Sequence, residues 1–404
     1  MSARPLGARG ARIVVVGASR AGLSAARALR AEGFAGELVL VGAEPHAPYD
    51  RTMLSKELLL GEVGEPAPLT GAAELEALGA EWLLGRRAQA LRSATREVVL
   101  DDGRWLRFDG LVIATGAAPR RLPLAALDGV STFRDLDDAR ALRRVLAPGV
   151  RVVVIGGGFV GLEVAAAARR AGAEVTVVEA AAQPLAPVFG EQVGAALARL
   201  HAAEGAALRT GTQVRALEGR ERIERVVLDD GQVLAADAVV VGVGAAPATS
   251  WLLGAGLALD DGVLCDERLA TALPGVVAAG DVARWRHPEL ARHVRGEHWE
   301  TAHEQGEAAA RALLHGSSAA PFAPLPFVSS RQYDHVLHFA GWRPPGARLT
   351  VLDGDPAAGR FTAAFLDGGR ARAVLALNDP RAFRRLRRAL SENAPLPQAT
   401  AVTA

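Results

Sequence analysis

The sequence predicts an α/β protein: two parallel-sheet halves of common design, followed by a smaller α+β segment with an antiparallel sheet. Three observations carry this. Half of the residues are hydrophobic and 44 are glycine, a composition suited to a packed α/β core with many tight turns. The chain also contains itself twice. "RIVVVGASRAGLSAARALRAEG" at 12–33 resembles "RVVVIGGGFVGLEVAAAARRAG" at 151–172, and "LDDGRWLRFDGLVIATGAAP" at 100–119 resembles "LDDGQVLAADAVVVGVGAAP" at 228–247. Beyond residue 319 the pattern changes to short alternating segments, which is strand periodicity. At 404 residues the chain is too long for one ordinary core, so two or three domains are expected.

The first half opens with the strand "RIVVV", a turn at Gly17, a helix and the strand "ELVLVGAE" ending in the acid Glu44. The second half repeats this in fuller form: "RVVVI", then Gly156, Gly158 and Gly161, a helix, and "EVTVVE" ending in Glu179. That is the dinucleotide fingerprint. The first glycine makes the tight turn, the second lets a pyrophosphate approach backbone N–H groups at the helix N-terminus, and the third lets helix and strand pack closely. Phe159, Val160 and Glu163 lie in the same turn and first helical residues.

Glu179 is placed to hydrogen-bond the adenosine ribose. The residues after it, "AAAQPLAP", offer no arginine for a 2′-phosphate, which favours NADH over NADPH. In the first half Ser19 replaces the middle glycine between Gly17 and Gly22, with Ala21 beside the last. A serine fits there if its φ stays negative. Both halves therefore read as Rossmann-like dinucleotide-binding domains, each followed by a polar hairpin with an Asp-Asp-Gly turn. Each then carries an apolar strand that leads into Gly-Ala-Ala-Pro at Gly116 and Gly244.

In the last segment, "PFAPLPFVSS" is a proline-broken entry. "HVLHFAGW", "ARLTVL", "GRFTAAFLDGG" and "RARAVLAL" read as antiparallel strands before an arginine-rich helix. Domain limits follow: 1–115 with 246–318, 116–245, and 319–404.

The bulk numbers exclude several classes. A formal net charge of +1 gives no global attraction to nucleic acid or an acidic membrane. The single cysteine, Cys265 in "GVLCDE", excludes an internal disulfide and an all-thiolate metal site and reads as a core residue. No apolar run approaches the ~20 residues that span a bilayer. The basic N-terminus passes into the first strand without a cleavable signal pattern. A cytoplasmic protein is expected.

One composition detail points to chemistry. Lys and Arg together number 46, and a single one of them, Lys56 in "PYDRTMLSKEL", is lysine. A position that keeps lysine where arginine is written everywhere else reads as one that needs a compact, titratable amine rather than a planar guanidinium.

Together these motifs resemble the flavoprotein ferredoxin reductases of the putidaredoxin-reductase and dioxygenase-reductase type, within the glutathione-reductase-like superfamily. "PYDRTMLSKELL" is similar to that family's Pro-Tyr-Asp-Arg-Pro-Pro-Leu-Ser-Lys segment. "LVIATGAAPRRLP" resembles its Ala-Thr-Gly-Ala loop, "VIGGGFVGLEVAA" its nicotinamide fingerprint, and "LATALPGVVAAGDVA" its second flavin motif, ending in Gly280-Asp281. "GEHWETAHEQGEAAA" resembles the Trp-Xaa-Xaa-Ala-Xaa-Xaa-Gln-Gly helix that follows. The likeness runs from about residue 12 to about residue 390.

The resemblance implies FAD in the first domain (1–115, 246–318), NADH in the second (116–245) and an interface domain at 319–404. It implies that Asp281 accepts hydrogen bonds from the ribityl chain, at the start of a helix facing the flavin phosphates. Arg51 would make charge-assisted contacts to FAD, Thr115 and Gly116 would bring backbone close to it, and Trp299 would lie near the isoalloxazine edge. Lys56, paired with Glu163, would hold an ammonium near flavin N5, where negative charge appears on reduction.

NADH would pass a hydride to FAD. With no cysteine in the first half, electrons would leave singly to a small acidic [2Fe–2S] ferredoxin serving a cytochrome P450 or ring-hydroxylating oxygenase. Arg381, Arg384, Arg385 and Arg388 lie along one face of the last helix and offer a docking patch; a monomer or weak homodimer is expected. One departure stands out. The family shows Pro-(Trp/Tyr)-Phe-Trp-Ser-Asp-Gln-Tyr where this chain has "PFVSSRQY", so Ser329 replaces an aromatic and Arg331 an acid. That opens the alternative of direct reduction of a small molecule or O2; a redox sensor resembling apoptosis-inducing factor is a third reading.

Overall fold

The computed structural model describes Leu6 and residues 10–396. The N-terminal stretch ahead of the first strand lies largely outside the described residues. The chain forms two compact units, one of residues 1–50, 67–118 and 246–326 and one of 51–66, 119–245 and 327–404.

The first unit is built on a five-stranded parallel sheet in the order Val276–Ala278, Gly110–Ile113, Arg12–Val16, Glu37–Gly42, Ala80–Leu84. Its inner strands are near-continuous Val, Ile and Leu because both faces are covered, as parallel sheets require, while the edge strand Ala80–Leu84 keeps Glu81 exposed. Val14, Val15, Leu40, Val112 and Ile113 are all buried. The helices Arg20–Ala31 and Trp299–His315 pack together. They meet so closely at Gly306 that a Cβ there would stand 2.3 Å from the Ala21 carbonyl oxygen. A three-stranded antiparallel meander, Ala88–Arg92, Glu97–Leu100 and Trp105–Arg107, completes the repeat.

The second unit repeats the plan. Its parallel sheet runs Ala207–Thr210, Glu174–Glu179, Arg151–Ile155, Ala238–Val241, Val130–Thr132. Its meander is Val214–Glu218, Arg225–Leu228, Val233–Ala235. The two Asp-Asp-Gly turns are the same structure: Asp102 accepts from the Arg104 N–H at 3.1 Å and Asp230 from the Gln232 N–H at 2.9 Å. Both parallel sheets reverse their winding beside the central strand, which is where α/β sheets place ligands.

This unit also contains the C-terminal sheet, antiparallel in the order Phe327–Gln332, His335–Gly341, Arg370–Leu377, Arg360–Asp367, Arg348–Asp355. The helix Pro380–Ser391 follows, with Asp379 capping its N-terminus by accepting from the Ala382 N–H at 2.9 Å. Phe383 and Leu386 bury its apolar side, while Arg381, Arg384, Arg385 and Arg388 are all exposed.

Candidate active site

In the first unit the turn after Arg12–Val16 is forced by contact. Gly17 has φ +117, and a Cβ there would lie 2.0 Å from the Ala114 carbonyl oxygen, so only glycine lets the turn cross the neighbouring strand. A Cβ at Gly22 would lie 1.8 Å from the Gly17 carbonyl, which fixes the helix against the turn. Between them Ser19 is the N-cap at φ −92, the negative value a serine accepts without strain. Ala21 is buried behind it. Thr115 donates from Oγ1 to the Ala248 carbonyl at 2.9 Å, and Gly116 accepts from the Ala248 N–H at 2.9 Å.

Two expectations in this unit need correction. Asp281 does not start a helix. It sits in a turn that passes into the strand Ala283–His287, and the helix begins only at Trp299. The physical reason is alternation: Ala283, Trp285 and His287 are buried on one face while Arg284 and Arg286 are not, a period of two rather than 3.6. The strand before Glu44 ends at Gly42, so Glu44 lies in the following loop, where Tyr49 Oη donates to its Oε2 at 2.5 Å.

The residues present fit a flavin nucleotide. Arg20 Nε, His298 Nδ1 and Gln305 Nε2 are buried and have no hydrogen-bond partner, and buried groups of this kind are ordinarily satisfied. Arg20 opens the helix Arg20–Ala31 and His298 is the N-cap of the helix Trp299–His315, which carries Gln305 in its second turn. Arg20 lies over the Trp299 ring at 5.4 Å, and Gln305 accepts from the Gly280 N–H through Oε1 at 2.7 Å. Gly280 has φ +79, and a Cβ there would press on Ala21 Cβ at 3.0 Å. Burial holds the His298 imidazole below its usual range, hence neutral at pH 7. Donors left open at helix N-termini suit an anionic, hydroxyl-rich ligand.

In the second unit the fingerprint has the same geometry with the side chains exchanged. Gly156 has φ +106 and approaches the Gly242 carbonyl; a Cβ at Gly161 would lie 2.1 Å from the Gly156 carbonyl oxygen. A Cβ at Gly158 would meet nothing within 4 Å, so that position is kept bare by no protein atom. Glu179 ends its strand and accepts from the Gly157 N–H at 2.5 Å and the Ala181 N–H at 2.7 Å. Phe159 packs edge-on against Phe189, while Val160 is exposed. Gly244 accepts from the Arg120 N–H at 2.9 Å.

The same unit holds Lys56. Residues Leu54–Leu58 form a single wide π-helical turn, after the 3₁₀ turn Arg51–Met53, a geometry that recurs at functional sites. Arg51 donates from Nη1 to the Arg134 carbonyl at 3.1 Å. Lys56 Nζ donates to Glu163 Oε2 at 3.0 Å and to the Thr52 carbonyl at 3.0 Å. The pair is largely out of water, with side-chain exposures of 15% for Lys56 and 7% for Glu163.

Glu163 is met by more than the lysine. Ser55 Oγ donates to Oε2 at 2.5 Å and Ser330 Oγ to Oε1 at 2.7 Å. Neither serine was a sequence candidate. Along Phe327–Gln332 the side chains alternate, so Ser329 is exposed while Ser330 and Gln332 are buried. Period-two reading of "SSRQ" would have found this pair, whereas the departures at Ser329 and Arg331 occupy the opposite face. Arg331 pairs with Glu57 at 2.6 Å.

The sheets, turns and ion pair define a pyridine-nucleotide oxidoreductase with two dinucleotide-binding folds. The model of the pyridine nucleotide-disulphide oxidoreductases matches residues 11–306, and a reductase C-terminal model matches 329–403. The chain is 41% identical to the ferredoxin–NAD(+) reductase component of the anthranilate 1,2-dioxygenase system of Burkholderia cepacia, over 95% of each chain. It is 35% identical to putidaredoxin reductase of Pseudomonas putida, covering 95% of this chain and 92% of that one. The reductase chain of a covalent putidaredoxin reductase–putidaredoxin complex superposes with a TM-score of 0.91 at 34% identity, over 96% of this chain and 95% of that one. The chain belongs to the pyridine nucleotide-disulphide oxidoreductase family, and within it to the FAD-dependent ferredoxin–NAD reductases that include these proteins. FAD and NAD(H) are its cofactors.

Proposed function

We propose that this protein passes electrons from NADH through FAD to a small [2Fe–2S] ferredoxin that serves a cytochrome P450 or a ring-hydroxylating oxygenase. The carrying observation is the absence of a sulfur relay in a chain whose two phosphate turns are both intact. The one cysteine, Cys265, is buried in the strand Val263–Cys265 and donates to the Val263 carbonyl. Burial pushes its thiol up, away from the thiolate form that redox chemistry needs. The relatives named as ferredoxin reductase components favour an external carrier over direct small-molecule reduction or a sensor role.

FAD, when bound, accepts a hydride from NADH and releases electrons one at a time. The chain's own residues bind and orient. Residues 1–115 and 246–318 are proposed to hold FAD through Gly17, Ser19, Ala21 and Gly22, with Glu44 and Asp281 as hydroxyl acceptors. Thr115, Gly116 and Trp299 are proposed to shape the same cleft. Residues 116–245 are proposed to hold NADH through Gly156, Gly158, Gly161 and Gly244, with Phe159 and Val160 beside the phosphates.

Glu179 carries the preference for NADH, because a carboxylate repels a 2′-phosphate and the next residues supply no arginine. For Arg51, Lys56 and Glu163 the proposed roles rest on the family resemblance of their segments: charge-assisted binding, and an ammonium held where charge develops.

Residues 319–404 are proposed as the interface domain. The exposed Arg381, Arg384, Arg385 and Arg388 would steer an acidic ferredoxin. A cytoplasmic monomer or weak homodimer is proposed; the reducing cytosol suits a lone buried thiol. The test is NADH-dependent cytochrome c reduction with and without a panel of [2Fe–2S] proteins. Turnover that needs the added ferredoxin is expected. Equal turnover of cytochrome c or O2 without it would refute the reading.

A further inference from the structure

Behind the Lys56–Glu163 pair runs a line of buried polar groups to which the proposed function assigns no role. Ser330 Oγ lies 2.7 Å from Glu163 Oε1, and Gln332 Nε2 lies 3.2 Å from Ser330 Oγ. His201 Nε2 lies 2.9 Å from Gln332 Oε1, and Tyr333 Oη lies 3.3 Å from His201 Nδ1. Ser330, Gln332 and His201 are buried to 2% exposure or less, and Tyr333 is buried as well.

The carboxylate fixes the direction of every bond. Glu163, ion-paired with Lys56, has only lone pairs to offer, so Ser330 must donate to it. The serine oxygen is then an acceptor, which turns the NH2 of Gln332 toward it. The Gln332 oxygen faces His201, so the imidazole carries its hydrogen on Nε2. Nδ1 is left to accept from the Tyr333 hydroxyl. Five groups satisfy one another in a single sense, all aimed at Glu163. Such fully satisfied buried networks rigidify the groups they end on.

A second observation concerns the tight turn that carries Tyr333, the two residues between the strands Phe327–Gln332 and His335–Gly341. Tyr333 sits at φ +56, a left-handed conformation unfavourable for a bulky residue and found where the surroundings over-determine it. Here they do. The Tyr333 ring meets His201 edge-on at 5.1 Å, and its neighbour Asp334 pairs with Arg170 at 2.6 Å at the end of the helix that carries Glu163.

We propose that Gln332 and His201 are positioning residues: through Ser330 they lock the rotamer of Glu163, and thereby hold the Lys56 ammonium in place for flavin reduction. This rests on the role proposed for Lys56. Gln332→Leu removes the group that orients Ser330 without touching either partner of the ion pair. The holoenzyme variant should keep its FAD and its KM for NADH within twofold, yet reduce flavin about tenfold more slowly in anaerobic rapid mixing at saturating NADH, the effect of losing one well-placed bond near a charge.

His201→Gln, which can still offer an N–H toward Gln332, should retain most of the rate, whereas His201→Phe should behave like Gln332→Leu. If His201→Phe loses FAD, Ser330→Ala supplies the comparison with a smaller change. Wild-type reduction by both Gln332→Leu and Ser330→Ala, alongside slow Lys56→Met, would overturn the proposal. Wild-type reduction by Lys56→Met would instead overturn the reading on which it rests, and the network's role with it.

Discussion

The N–H of Gly157 donates to Oε2 of Glu179 at 2.5 Å, so the acid that closes the second strand is clamped onto the glycine turn after the first. In the first repeat the side chains are exchanged. Parallel register sets Gly42 where Glu179 stands, and the turn carries Ala18 instead of Gly157. A Cβ at Gly42 would strike Ala18 Cβ at 2.9 Å. Only one of the two facing positions can bear a side chain, and the acid of the first half is displaced to Glu44. Glu179→Ala should therefore raise KM for NADH by about ten- to a hundredfold, the loss of one or two bonds, with kcat changed far less. Steady-state kinetics check it, and an unchanged KM would mean the ribose is held elsewhere.

Lys56→Met removes the ammonium and leaves Glu163 with its two serine donors. Flavin reduction by NADH should slow by at least about tenfold, while FAD stays bound through turns that Lys56 does not form. Lys56→Arg should not restore the rate, because a guanidinium fork does not reproduce the paired contacts to Glu163 and Thr52. Anaerobic rapid mixing and flavin content of the purified variants read the two effects separately.

Cys265→Ala should leave ferredoxin-dependent turnover at the wild-type level. The residue is a small buried hydrophobe, so the expected cost is stability of about 1 kcal/mol or less. Loss of electron transfer with intact flavin reduction would reinstate a thiol relay.

His201 gives a pH signature. Burial pushes its imidazole down to about 4, below the ordinary value near 6.5. A base depressed in the folded state is neutral there while the unfolded chain takes up a proton, so its contribution is full above about pH 6.5. It is lost as pH falls toward about 4. The wild type should lose stability through that window more steeply than His201→Gln, by up to one proton's slope. Denaturant unfolding of the two holoproteins at a series of pH values measures the difference; parallel curves would refute it.

Arg384→Glu with Arg388→Glu should lower the apparent second-order rate with an acidic ferredoxin by about tenfold at low salt, converging with wild type as salt screens the patch. NADH-to-flavin reduction should be unchanged. Equal salt dependence in variant and wild type would place docking on another surface.

The sequence by itself determined the fold class, the repeated β-α-β plan, the tight turns at Gly17 and Gly156, and the singularity of Lys56. Each of these is local: a period, a positive-φ glycine, a residue type used once. The tertiary structure alone decided the rest. Asp281 fell in a turn because the residues after it alternate against a sheet from Ala283 onward, and the acid of the first half is Glu44 in a loop because Ala18 leaves no room for a side chain at Gly42. Glu163 also gained Ser330 from a strand far along the chain. Hydrogen-bond partners across such separations are set by how sheets and helices pack, and no spacing within a single segment encodes them.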